Sequence, residues 1–237
     1  MPKFLIEDTW NATDIIQYAI DHNIEYKELS QDALYAMDSN EFLQHVYFCS
    51  TDIVQKHLHR NIPDCYDSRY SHLFKRTISK SLFKDIKPGN VFIKPQGNNK
   101  SFDGTIFNSY DDFYLTGKTI PEPETPCYVV NVIKLLSEYR LLIGNNKVYG
   151  VGYMTGVKLP IPSLQPYILA SGGDFLCVDI GLTPSGWVVV EINPPFSLDD
   201  YDIELSSYIQ YCIDATEYYH GMQKLILLDK KGASDIT

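Results

Sequence analysis

The chain has 237 residues, 44% of them hydrophobic and 21% charged, and a formal net charge of -10. It is long enough for one large domain or two small ones with a buried core; the composition excludes wholesale disorder, and the negative balance argues against bulk capture of nucleic acid. No apolar run approaches the roughly 20 residues that cross a bilayer, the N-terminus turns acidic too soon for a signal peptide, and five scattered cysteines without a CxxC pair argue against a zinc knuckle or disulfide scaffold and for a reducing cytoplasm.

Lys3 to Ile6 reads as a strand, and Asn11 or Thr13 caps a helix to about Asp21. Ile24 to Leu29 and His45 to Cys49 read as two more strands. Ser50 or Thr51 caps a helix to about His59, on which His57 and His59 are read as surface residues. This β-α-β-β-α order predicts a small open α/β unit, closed by a break at Asn61 to Asp64. Residues 71–86 read as a basic helix. Pro88-Gly89-Asn90 turns into the strand Val91 to Ile93, which ends at Lys94-Pro95 before a polar loop from Gln96 to Gly104. Cys127 to Ile133 is a β-branched run. Glu138 to Ile143 and Lys147 to Met154 flank Gly144-Asn145-Asn146, a hairpin signal. Ser171-Gly172-Gly173 opens a unit with strands at Phe175 to Ile180 and Trp187 to Ile192. A helix is expected from Leu198 to about Leu228, then a frayed tail over Asp229 to Thr237.

Charge is segregated along the chain. Residues 75–100 carry seven basic side chains against Asp85 alone, whereas residues 159–223 carry nine acids and no Lys or Arg. A site between the two segments suits a metal-bound polyphosphate; the same clustering also arises from solvated faces.

The sharpest local pattern is a hairpin around Thr183-Pro184-Ser185-Gly186. A three-residue loop at Pro184 to Gly186 pairs Thr183 with Trp187 and, stepping back, Asp179 with Glu191, whose Cβ atoms then lie about 4.5–5.5 Å apart. Two carboxylates so placed repel unless neutralised, and Asn193 faces the same side of its strand. Asp, Glu and an Asn carbonyl are hard oxygen ligands for Mg²⁺ carrying phosphates. A surface hairpin with solvated acids is the alternative. Lys94, at a strand end, suits a phosphate oxygen, and the loop between Gly97 and Gly104 can cradle phosphate and bring Lys100 to it, although an exposed loop fits as well. No GxxxxGK[ST] motif is present. Alternation puts Glu138 and Arg140 on one face, where Arg140 either presents its planar fork to a phosphoryl group or pairs with an acid across the sheet.

In order along the chain stand FIKP, KSFDG, VVNVIKLLSEYRLLIGNNKVYG, VDIG and VVVEINPP. This series resembles the ATP-grasp superfamily, and most of all its clade distinguished by two lysines and one arginine, found in bacteria and their viruses. The resemblance covers about residues 70–200, and Asp179 with Glu191-x-Asn193 is its most specific part. It implies an α/β fold, a two-lobed grasp behind the small N-terminal α/β unit: residues 1–69 for that unit, 70–129 for the first lobe with its phosphate loop, 130–228 for the second lobe with its metal site, and 229–237 for the tail. It implies that Lys94 and Lys100 contact the phosphates of ATP and that Val130, Asn131, Val132 and Ile133 form the hinge that holds adenine. Arg140 would stand near the transferred phosphoryl, catalytic together with Lys100. Asp179, Glu191 and Asn193 would hold Mg²⁺, with Glu191 bridging two ions. The hinge carries Asn131 where the family often has an acid, which leaves open how ribose or adenine is held. Lys75, Arg76 and Lys80 remain open as a further phosphate contact.

The activity implied is an ATP-dependent carboxylate–amine ligase that forms an amide through an acyl phosphate and releases ADP and phosphate. Its partners would be a small-molecule or peptide carboxylate and an amine donor, in the cytoplasm, without nucleic acid or membrane. A kinase that phosphorylates a hydroxyl and a nucleotide-binding module without turnover are the alternatives.

Overall fold

The computed structural model describes residues 3–8, 12–58, 63–97, 101–116, 119–196 and 199–234. Three parallel strands open the chain: β1 (Phe4–Glu7), β2 (Tyr26–Leu29) and β3 (Val46–Phe48), in the order β2-β1-β3. All four residues of β1 are buried, as the central strand of a parallel sheet requires. Helix α1 (Ala12–Asp21) connects β1 to β2, α2 (Gln31–Ala36) and α3 (Ser39–Phe42) lead to β3, and α4 (Thr51–Leu58) follows. Ser30 caps α2 by accepting from the Ala33 N–H, and Asp38 caps α3 through Asn40 and Glu41. The expected unit is therefore present, with two short helices added. Those helices correct the reading of His57: it is fully buried, with its ring nitrogens 2.9 Å from the Leu34 carbonyl and 3.0 Å from Ser39 Oγ. His59 and the candidate cap Asn11 lie outside the described residues.

The second sheet is antiparallel, in the order β4-β7-β5-β6, from β4 (Ile78–Leu82), β5 (Val91–Pro95), β6 (Thr105–Phe107) and β7 (Pro126–Asn131). The helix expected over 71–86 is not there. Only α5 (Ser71–Phe74) is α-helical; Lys75 then takes a left-handed φ of 49°, and the chain enters β4. Every residue of β4 pairs with β7, and that ladder outweighs the weak helical preference of a Ser- and Thr-containing segment. A short helix, α6 (Asp111–Thr116), brings Phe113 against Phe83 and Phe107 in the core of this lobe.

The third sheet has the order β11-β10-β8-β9, from β8 (Ser137–Gly144), β9 (Lys147–Gly156), β10 (Leu176–Thr183) and β11 (Gly186–Asn193). Asn145 and Asn146, both at positive φ, form the two-residue turn between β8 and β9 that Gly-Asn-Asn announces. One face packs Tyr139, Leu141, Val178 and Ile180 against Tyr70, Phe74 and the Tyr167 of helix α7 (Gln165–Ser171). Alternation turns Glu138, Arg140 and Asp179 to the other face. Helix α8 (Leu205–Ser234) starts later than expected and runs into the segment read as a tail. Its Ile209, Tyr211 and Ala215 share one core with Tyr47 and Phe48 of β3 and with Phe175 and Cys177 of β10, joining the N-terminal sheet to the third sheet. All five cysteines are buried and free. Among the described residues, no helix is long and apolar enough to cross a membrane.

Candidate active site

β8, β10 and β11 lie side by side, so register decides which side chains share a row. Arg140 stands opposite Asp179, and Asp179 opposite Glu191. The second pairing is the one the hairpin pattern predicts, reached by another path. The turn is two residues long and pairs Thr183 with Gly186, which alone would bring Val190 to Asp179. A bulge beside Asp179 absorbs one residue, passes over Val190 and returns Glu191 to its partner.

Arg140 grips Asp179 with two bonds, Nε to Oδ1 and Nη2 to Oδ2, each 2.9 Å long. Both residues are buried, and the guanidinium lies 4.7 Å from the centroid of the Tyr201 ring. Of the two roles open for Arg140, the structure holds the cross-strand ion pair. Burial pushes the Asp179 carboxyl above its usual range, against the pull of Arg140. Burial also acts to lower the Arg140 pKa, but its anionic neighbours hold the guanidinium above its ordinary value.

Lys94, near the end of β5, reaches across from the other lobe, and its Nζ lies 2.6 Å from Glu191 Oε2. Burial works against the ammonium, yet Glu191 holds its pKa above the usual lysine value. Burial likewise works against the Glu191 carboxylate, but Lys94 and Asn193 outweigh it and keep that pKa below the ordinary glutamate value. Asn193 Nδ2 is 3.1 Å from Asp179 Oδ2 and 3.0 Å from Glu191 Oε1. One atom thus touches an oxygen of each carboxylate, and a single cation in that place reaches both. Two carboxylates and a side-chain amide fit Mg²⁺, a hard cation that takes oxygen ligands. Among the described residues, no three His, Cys, Asp or Glu side chains cluster as a metal site, so the third donor here is the amide.

Beside Glu191 a cavity of about 160 Å³ opens between the lobes. Asn131, Val132 and Ile133 line it. Val130 does not, which corrects the four-residue hinge: it is held in register between Ile78 and Phe92 and is fully buried with Cys65 and Tyr128. Among the described residues, the N–H groups of Val132 and Ile133 donate no backbone hydrogen bond, which leaves them available to a ligand. Of the three upstream basic residues, Arg76 enters the cavity. It donates Nη2 to the Val190 carbonyl, and its buried Nε has no hydrogen-bond partner among the described residues. Burial lowers its pKa. Lys75 and Lys80 are exposed. Lys100 lies outside the described residues.

Two features escape a reading of the sequence. The connector at residues 63–66 runs through the cleft: the Cys65 carbonyl accepts from the Ile192 N–H at 2.9 Å, the Tyr128 hydroxyl donates to Asp64, and Tyr66 meets Tyr128 edge-on. Nothing in its composition marks it. The second is Glu138. Burial first, then Asp179 and Glu191, push its carboxyl up to about 7. Alternation beside Arg140 was the available signal.

The sequence of residues 73–211 matches a family model described as an ATP-grasp domain, family 2 of the clade named for one arginine and two lysines. The chain belongs to this ATP-grasp family. No curated protein matches it. Among solved structures it is similar to a D-alanine–D-alanine ligase from Bacillus anthracis, with 10% identity and a TM-score of 0.56 over 94% of this chain and 100% of that one. It is similar to the D-alanine–D-alanine ligase of Coxiella burnetii, with 13% identity and a TM-score of 0.52 over 98% of this chain and 99% of that one. A RimK domain ATP-grasp protein from Sphaerobacter thermophilus has 11% identity and a TM-score of 0.51 over 91% of this chain and 97% of that one. At such identities the likeness is one of fold. In this ATP-grasp chain, then, the two lobes meet at Lys94 and Glu191, beside the hinge cavity.

Proposed function

We propose that this ATP-grasp protein is an ATP-dependent carboxylate–amine ligase. The reading rests above all on one observation: Lys94 of the first lobe meets Glu191 of the second, in a row with Asp179 and Arg140 and next to the hinge cavity. In this reading Asn131, Val132 and Ile133 hold adenine, and Arg76 and Lys94 take phosphate oxygens, with Lys100 from the loop. Asp179, Glu191 and Asn193 hold Mg²⁺, which when bound neutralises phosphate charge. Arg140 fixes Asp179 and offers its remaining N–H to the transferred group. The protein supplies position and charge, and no side chain acts as a covalent nucleophile. An oxygen of the acceptor carboxylate attacks the γ-phosphorus and ADP departs, leaving an acyl phosphate. An amine attacks the acyl carbon and loses a proton, phosphate leaves, and an amide remains. The acceptor is a small molecule or a peptide, and the setting is the cytoplasm. The lobes divide near residues 69 and 130.

Acceptor-dependent ADP release across amino acids and peptides tests this reading. The expected products are an amide and free phosphate. Glu191→Ala should lower the rate by about 100-fold or more while circular dichroism stays unchanged. A phosphate ester as product, or full activity in Glu191→Ala, contradicts it.

A further inference from the structure

The hinge supplies groups for a base, and the row at Glu191 supplies groups for phosphates, but the sugar between them has no assigned partner. The second lobe presents two neighbouring rows to the cleft. One holds Gly152, Arg140, Asp179 and Glu191. The other lies about 7 Å further along β8 and sets Glu138 opposite Gly181. Gly181 is covered by Leu135 and Val190: a Cβ there would lie 2.5 Å from Leu135 Cδ2 and 3.0 Å from Val190 Cγ2. Leu135 and Val190 both line the base-sized cavity. The cavity therefore reaches the second row, the phosphate groups occupy the first, and Glu138 stands where the two meet. Asp179 has Arg140 and Glu191 has Lys94 as ion-pair partner, whereas Glu138 makes no ion pair among the described residues. The hinge residue at the cavity, Asn131, carries no charge.

We propose that the Glu138 carboxylate accepts the ribose hydroxyls of the bound nucleotide and makes the site select ribonucleotides over deoxyribonucleotides. The inference rests on the ATP reading above. A carboxylate has two oxygens for two adjacent hydroxyls, and hydrogen bonds to an ionised acceptor are the strong ones. The nearby anions raise the proton affinity of Glu138, which strengthens it as an acceptor.

Equilibrium binding of ATP, 2′-deoxy-ATP and 3′-deoxy-ATP, measured by calorimetry with Mg²⁺, tests the assignment in wild type, Glu138→Ala and Glu138→Gln. Wild type should bind ATP at least about tenfold more tightly than one of the deoxy analogues. Glu138→Ala should weaken ATP to the level of that analogue and leave the analogue unchanged. Glu138→Gln keeps the side-chain volume and one acceptor oxygen; it should fall between, and it carries the comparison if the alanine variant does not fold. Equal weakening of all three nucleotides overturns the assignment, because Glu138 then acts through charge alone. Equal binding of all three by wild type overturns it too and leaves the ATP reading standing. No binding of ATP by wild type overturns both.

Discussion

Arg140 and Asp179 are both buried, and neither charge is stable there alone. Removing one partner leaves an uncompensated charge, which typically costs about 3–5 kcal/mol. Arg140→Ala should therefore lose about that much folding stability in urea titration. The double variant Arg140→Ala with Asp179→Ala should lose clearly less than the sum of the two single changes. Strict additivity would mean that the two groups do not hold each other. The sequence places Asp179, Glu191 and Asn193 on one face because period-two alternation and short-range register are local properties. It leaves Arg140 undecided between phosphoryl group and acid, since partner choice depends on which strand lies beside β8. It passes over Glu138 for a related reason: what distinguishes that carboxylate is burial without an ion pair among the described residues, and that is visible only in three dimensions.

At the next level, strand pairing fixes the site through details that composition does not encode. Asn145-Asn146 announces its turn because both residues accept positive φ. The turn between β10 and β11 is one residue shorter than the pattern suggests, and the bulge at Val190 compensates, so the expected pair arises from two offsetting departures. The stretch read as a basic helix becomes β4 because β7 is there to pair with it. Gly152, the register partner of Arg140 on β9, shows how closely the chain packs over this row. A Cβ there would lie 2.4 Å from the Tyr201 carbonyl oxygen and 2.9 Å from that of Asp200. Backbone cannot yield as a flexible side chain does. Gly152→Ala should push residues 199–202 away from Arg140 and cost roughly 1–3 kcal/mol in thermal unfolding. A neutral substitution would mean that this segment is held only loosely over the arginine.

Across the whole molecule, the segregation of basic and acidic residues along the chain becomes an encounter of two lobes. The first lobe contributes Lys94 and Arg76, and the second contributes Asp179, Glu191 and Asn193. Linear charge distribution reveals the two halves, yet it does not reveal that Arg140 sits with the acids or that residues 63–66 thread the cleft. Both follow from long-range packing: the N-terminal sheet shares a core with α8, and the connector leaving that sheet bonds to β11. If these opposed charges form one site for a metal-bound polyphosphate, ATP affinity must depend on the metal through Glu191. The decisive measurement is calorimetric titration of ATP with and without Mg²⁺ into wild type and Glu191→Ala. Mg²⁺ should tighten binding by about tenfold or more in wild type and have little effect in the variant. Equal affinity with and without Mg²⁺ in wild type, or an undiminished Mg²⁺ effect in Glu191→Ala, would contradict a site built on that carboxylate.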